Sequence, residues 1–252
     1  MRVPIPLRCL ALLIVLACLA RAQRYSDFTT PRPLPPGSVL VIGFLGGIEH
    51  WNSEGRPVNR LAAELRERKI PGVYVETVEH KHRDLAKRLV LEAFDRNGDG
   101  KLDEQECAAA RLILYGHSMG GASVVKLARE LGNLGVPVLL TVQLDSIGRG
   151  DRDIPVNVAR AANFYQRNGS PFLRGQPEIR ADDPARTTIL GNFKYDYRKR
   201  NVDLSGVNPI ERATGGSHTK MEFDPEVWQR VESLILKEIE EQPLKPQQPA
   251  PL

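Results

Sequence analysis

Cysteine is scarce: Cys9, Cys18 and Cys107 are the three in 252 residues, and the first two lie in an N-terminal segment with the marks of a leader. Cys107 is then left alone, which excludes an internal disulfide and requires some other means of stabilising an exported chain. A long apolar run is also missing. The stretch from Cys9 to Ala20 is well short of the roughly 20 residues that cross a bilayer, so no stable membrane span is expected. With Arg2 and Arg8 before it and Ala20-Arg21-Ala22 after it, that stretch reads as the core of a signal peptide over residues 1–22, and the expected location is secreted or periplasmic. Cys18 after Val15-Leu16-Ala17 leaves lipid anchoring as a lesser option. Nor is there a large excess of one charge. Loss of Arg2, Arg8 and Arg21 takes the formal charge from +4 to about +1, which removes any argument for a nucleic-acid partner.

About 230 residues remain, ample for one domain with a large core. Residues 23–37 are polar and carry Pro31, Pro33, Pro35 and Pro36, as expected of a tether or an arm extended over a surface. The folded domain is expected over 38–241, and the Gln- and Pro-rich tail, 242–252, is expected to be disordered. Val39-Leu40-Val41-Ile42 is apolar without alternation, the pattern of a strand covered on both faces. It opens into Gly43-Phe44-Leu45-Gly46-Gly47, which lacks the Lys and Ser/Thr of a P-loop and the spacing of a dinucleotide fingerprint, and reads instead as an oxyanion loop. A helix from Pro57, a strand over Val73–Val78 and a helix carrying Leu85, Leu89, Val90, Ala93 and Phe94 follow. Alternating strands and helices predict an α/β fold, a mostly parallel sheet with helices on both faces.

The next apolar run, Leu112-Ile113-Leu114-Tyr115, leads into Gly116-His117-Ser118-Met119-Gly120 and then into Ala122, Val124, Val125, Leu127, Ala128 and Leu131 at helical spacing. Strand, sharp G-x-S-x-G turn and helix are the setting of a nucleophilic serine, and the Met119 amide at the helix start faces negative charge developing beside it. On these motifs the chain resembles the α/β-hydrolases over roughly Val39 to Ile239. The resemblance implies that Phe44 supplies a second oxyanion donor beside Met119, although Ile42 stands where many lipases and esterases carry a His. The strand Val136–Leu144 ends in Asp145, on the same rim of a parallel sheet as Ser118. The family more often places its acid one strand later, but Leu144-Asp145-Ser146 resembles the Leu-Asp-Pro of pancreatic-type lipases. Asp145 is therefore the expected acid; a loop-capping role is the plain alternative, and Asp182, Asp183 and Asp196 are its rivals.

Serine needs a base titrating near neutrality, held by an acceptor. Of five histidines, His50, His80 and His82 precede Ser118, and His117 lies inside the elbow with its side chain expected to point away from the serine's. His218, expected in a flexible loop before the helix that starts at Asp224-Pro225, completes the order Ser, Asp, His of this fold. The expected activity is that of an exported serine hydrolase acting on small-molecule or lipid carboxylic esters. A thioesterase or amidase with the same triad, or a non-catalytic calcium-binding module, are the alternatives. His80-Lys81-His82 lacks further ligands at metal spacing.

Residues 95–106 match the EF-hand loop at every position. Asp95, Asn97, Asp99 and Asp103 offer side-chain oxygens, Lys101 its carbonyl, Glu106 a closing carboxylate, and Gly100 the sharp bend. A single loop with a short exit helix does not make a target-binding sensor, so a structural calcium ion is expected, at the amino end of the strand that carries Ser118.

Overall fold

The computed structural model describes residues 22–47 and 49–242. The predicted leader up to Arg21 and the predicted tail beyond Gln242 lie outside the described residues. In chain order the elements are β1 (Val39–Leu45), α1 (Pro57–Glu67), β2 (Val73–Glu79), α2 (Arg83–Phe94), α3 (Glu104–Ala109), β3 (Leu112–His117), α4 (Met119–Gly132) and β4 (Val138–Leu144). Then come β5 (Asp153–Ile154), β6 (Val158–Gln166), β7 (Arg180–Ala181), β8 (Thr188–Tyr195), α5 (Pro209–Glu222) and α6 (Pro225–Glu240). Six strands form the main sheet in the order β2-β1-β3-β4-β6-β8, every neighbouring pair parallel. Beside it, β5 and β7 make a small parallel pair that the sequence did not announce.

The continuous apolar strands are explained by what covers them. Side chains alternate across a strand. In β1, Leu40, Ile42 and Phe44 join a core built with Leu89, Val90 and Phe94 of α2 and Val124, Leu127 and Leu131 of α4. Val39, Val41 and Leu45 face the other way, onto Leu61 and Leu65 of α1 and Val231, Ile235 and Ile239 of α6. Both faces are dry, so neither set of positions can be polar. Each helix brings one apolar stripe to its face: in α1, which has Pro57 in its first turn, Val58, Leu61, Ala62 and Leu65 are buried at the spacing of a single side. This is the mostly parallel sheet with helices on both faces expected of the sequence.

The proline-rich arm is docked. Phe28 and Leu34 are 5% and 3% exposed, and burying a side chain of that size contributes about 2 kcal/mol. The Gln23 carboxamide donates to Thr77 O and accepts from Glu79 N, so it occupies backbone groups of the edge strand β2 as another strand would. Glu76 Oε1 accepts from the amides and hydroxyls of both Thr29 and Thr30 at 2.7–3.1 Å. Of the two roles open to residues 23–37, the arm laid over the surface is the one taken.

Candidate active site

The chain order reverses at β1, which has β2 on one side and β3 on the other. In an open parallel sheet the crevice beyond the carboxyl ends of such strands is where ligands bind. Ser118 follows β3 directly, with φ 56° and ψ −125°. That left-handed conformation is costly for a side-chain-bearing residue and is held by its neighbours: Ser118 N donates to Leu144 O, and Ser118 O accepts from Gly121 N and Ile147 N. The turn also requires close approach. A Cβ on Gly116 would lie 2.6 Å from the Gly120 carbonyl, and one on Gly120 would lie 2.1 Å from Phe44 O. The two glycines of the motif are thus required by contact with each other and with β1.

The structure brings Ser118, His218 and Asp145 together. His218 Nε2 lies 3.0 Å from Ser118 Oγ and His218 Nδ1 lies 2.6 Å from Asp145 Oδ2. Asp145 is fully buried, and its carboxylate also accepts from Gln166 N at 3.1 Å, Gln166 Nε2 at 2.8 Å and Gly175 N at 2.9 Å. Gln166 ends β6, the neighbour of β4 in the main sheet, and from there it supports Asp145. The rivals are engaged elsewhere. Asp196 is exposed and pairs with Arg198, Asp183 accepts from the Ala185 amide in its own turn, and Asp182 is exposed beyond β7.

His218 departs from expectation in one respect: it lies within α5, not in a flexible loop. The helix is kinked at Gly216, where φ is 55° and ψ −124°, nearly the dihedrals of Ser118. A helix interior does not tolerate that conformation in a residue with a Cβ, so the Gly215-Gly216 pair lets the chain break stride and deliver His218 to the serine. Gly216→Ala is expected to cost about 1–3 kcal/mol in stability and to lower kcat more than it raises KM, as measured by thermal melts and steady-state kinetics. Unchanged kcat would mean that the kink does not set the imidazole's position.

Met119 opens α4, so its amide has no intrahelical acceptor. Phe44 is placed differently from the expectation. It is fully buried inside β1, in register with Val78 of β2 and Gly116 of β3, so its amide belongs to the sheet ladder. The residue of that loop abutting the nucleophile is Gly46, whose Cβ position lies 3.0 Å from Ser118 Cβ. Neither histidine of His80-Lys81-His82 joins a ligand set: Lys81 Nζ and His82 Nε2 lie 3.0 and 3.6 Å from the buried Glu79.

Residues 95–103 form the turn between α2 and α3 and residues 104–106 open α3, which leads into the amino end of β3. Ser118 lies beyond the other end of that strand, about 20 Å away at some 3.3 Å per residue. Positive φ at Gly98 and Gly100 bends the loop. Asp95 accepts from Gly98 N and Gly100 N, Asn97 from Asp99 N, Asp99 from Lys101 N, and Asp103 from Glu106 N, all at 2.8–2.9 Å. Glu106 reaches back to the amides of Arg96, Asn97 and Asp103. An all-oxygen donor set on a loop so bent fits calcium. Among the described residues, the trio of possible ligand groups that converges within 4.8 Å is elsewhere, Glu49, His117 and Glu222.

A cleft of 620 Å³ runs along the N-terminal arm and α1, lined in part by Gln23, Thr29, Trp51 and Arg60, and includes none of the triad. Met119, beside Ser118 in the chain, is 46% exposed, and Phe172, on the segment just before Gly175, is 87% exposed.

No protein-family model and no curated protein sequence matches the chain. Among solved structures it is similar to a dienelactone hydrolase from Anabaena variabilis, at 11% identity over 84% of this chain and 90% of that one, with a TM-score of 0.40. A cutinase-like protein from Cryptococcus sp. matches at 14% identity over 84% and 98% of the two chains, TM-score 0.35. An acetyl xylan esterase matches at 11% over 81% and 99%, TM-score 0.38. At such values these likenesses carry nothing about activity, and the function has to be argued from the site itself.

Proposed function

We propose that the protein is a serine hydrolase of carboxylic esters, exported after loss of residues 1–22. The observation that carries this is the unbroken line from Ser118 Oγ through His218 to a buried Asp145, at 3.0 and 2.6 Å. Ser118 Oγ attacks the acyl carbon and its proton passes to His218 Nε2, while Asp145 holds Nδ1–H and stabilises the imidazolium. The carbonyl oxygen becomes an oxyanion held by the Met119 amide and by the Gly46 amide, which at present donates to Glu49 Oε2 at 3.2 Å. His218 then gives its proton to the departing alkoxide, the acyl group remains on Ser118, and water repeats the sequence to release the acid. Exposed Met119 and Phe172 favour an ester with an apolar portion. The test is labelling by a fluorophosphonate probe together with hydrolysis of short p-nitrophenyl esters; an intact, folded protein that does neither overturns the reading. N-terminal sequencing of exported protein, expected to begin at Gln23, tests the leader.

The same proposal includes a structural calcium ion held by Asp95, Asn97, Asp99, the Lys101 carbonyl, Asp103 and Glu106. With no disulfide available, such an ion ties the exit of α2 to the entry of β3. At about 1 mM calcium, a site of about 10⁻⁴ M contributes about 1.4 kcal/mol. For a chain of this length, chelation is therefore expected to lower Tm by roughly 3–6 °C, with the initial rate of still-folded protein nearly unchanged. An immediate, reversible loss of rate without unfolding, or a Tm indifferent to calcium, contradicts the structural role.

A further inference from the structure

Behind the triad, three more ionisable side chains meet. His117, between Gly116 and Ser118, is 1% exposed, and its ring stacks on that of His218 with centroids 4.7 Å apart. Glu49 comes from the segment after β1 and Glu222 from the last residue of α5, their side chains 7% and 4% exposed. One ligand atom from each of the three lies within 4.8 Å of the other two. Neither nitrogen of His117 has a hydrogen-bond partner, although Nδ1 points at Glu49 Oε1 across 3.8 Å. That gap is too long for a hydrogen bond, and it suits two ligands about 2.0–2.2 Å from one ion between them.

Charge favours the same occupant. Arg56 contacts Glu222 at 3.0 Å and both oxygens of Glu211 at 2.6 and 2.8 Å. Three carboxyl groups and a buried imidazole therefore share one guanidinium. Burial leaves these groups little water to answer a charge on any of them. A dication offsets this. An outer contact of the kind a ligand set needs is present as well, since Arg56 orients Glu222.

We propose that Glu49, His117 and Glu222 form a binding site for a divalent transition-metal ion of the zinc class, distinct from the loop at 95–106. One imidazole and two carboxylates, with a fourth position for water, make a tetrahedral set whose nitrogen separates it from the oxygen-only loop. The site stands independently of the hydrolase reading, since it needs only the positions of these side chains.

The test titrates the intact, metal-stripped protein with zinc alone, in calcium high enough to saturate residues 95–106. One equivalent is expected to bind at micromolar Kd or tighter. Glu49→Gln and Glu222→Gln should each weaken it by about tenfold or more, and Glu106→Gln should leave it unchanged. X-ray absorption of the zinc-loaded wild type should show one imidazole and otherwise oxygen ligands, a readout that survives if a variant fails to fold. The proposal is overturned by wild-type protein that takes up no zinc below about 100 μM, by binding indifferent to both glutamate substitutions, by binding lost with Glu106→Gln, or by a zinc shell without imidazole.

Discussion

Ser118→Ala is expected to lower kcat on short p-nitrophenyl esters by about 10⁴–10⁶-fold, to leave KM within a few-fold, and to end labelling by a fluorophosphonate. The size follows from what is lost. Without Oγ there is no atom for His218 Nε2 to activate across 3.0 Å, and what remains is the binding of substrate and the hold on its oxyanion. His218→Ala should cost about as much, and the double variant little more, because the pair acts as one device and the second removal finds nothing left to break. Stability should barely change in Ser118→Ala: the strained φ of 56° belongs to the elbow, and alanine meets the same neighbours. A Ser118→Ala protein that is still labelled and still turns over places the nucleophile elsewhere.

Asp145→Asn should lower kcat by about 10⁴-fold while Ser118 still reacts slowly with the probe. The Asp145 carboxylate accepts hydrogen bonds from Gln166 N, Gln166 Nε2, Gly175 N and His218 Nδ1. An amide carries two donors of its own, so it must either face one of those groups donor to donor or compel His218 into the tautomer that cannot accept the serine's proton. The mismatch is fully buried, and a loss of about 1–3 kcal/mol in stability should accompany the loss of rate. Asp182→Asn, Asp183→Asn and Asp196→Asn should each retain most of the activity, since none of those carboxylates is aimed at the imidazole. A loss at any of the three equal to that at Asp145 refutes the choice of acid.

Much was legible in the order of residues because it rests on neighbours in the chain. The strand patterns, the helix stripes and the elbow around Ser118 follow from local sterics and from apolar continuity, which a single strand and the turn after it already display. Ser118 and Asp145 were readable for the same reason, since each follows a recognisable strand, and His218 was readable from its place after them in the chain. The contacts between distant segments were not legible. That Gln166 braces Asp145, that Gly216 breaks α5 to carry His218 inward, and that the arm at 23–37 is fastened by Gln23 and Glu76 depend on which strands become neighbours. Phe44 shows the limit most plainly, since whether its amide faces substrate or another strand turns on where β1 stops pairing with β3. The trio of Glu49, His117 and Glu222 has no pattern in sequence at all. A loop, an elbow and the end of a helix supply one side chain each, and only the closing of helices over both faces of the sheet forces them into one dry space, where their charges must be answered together.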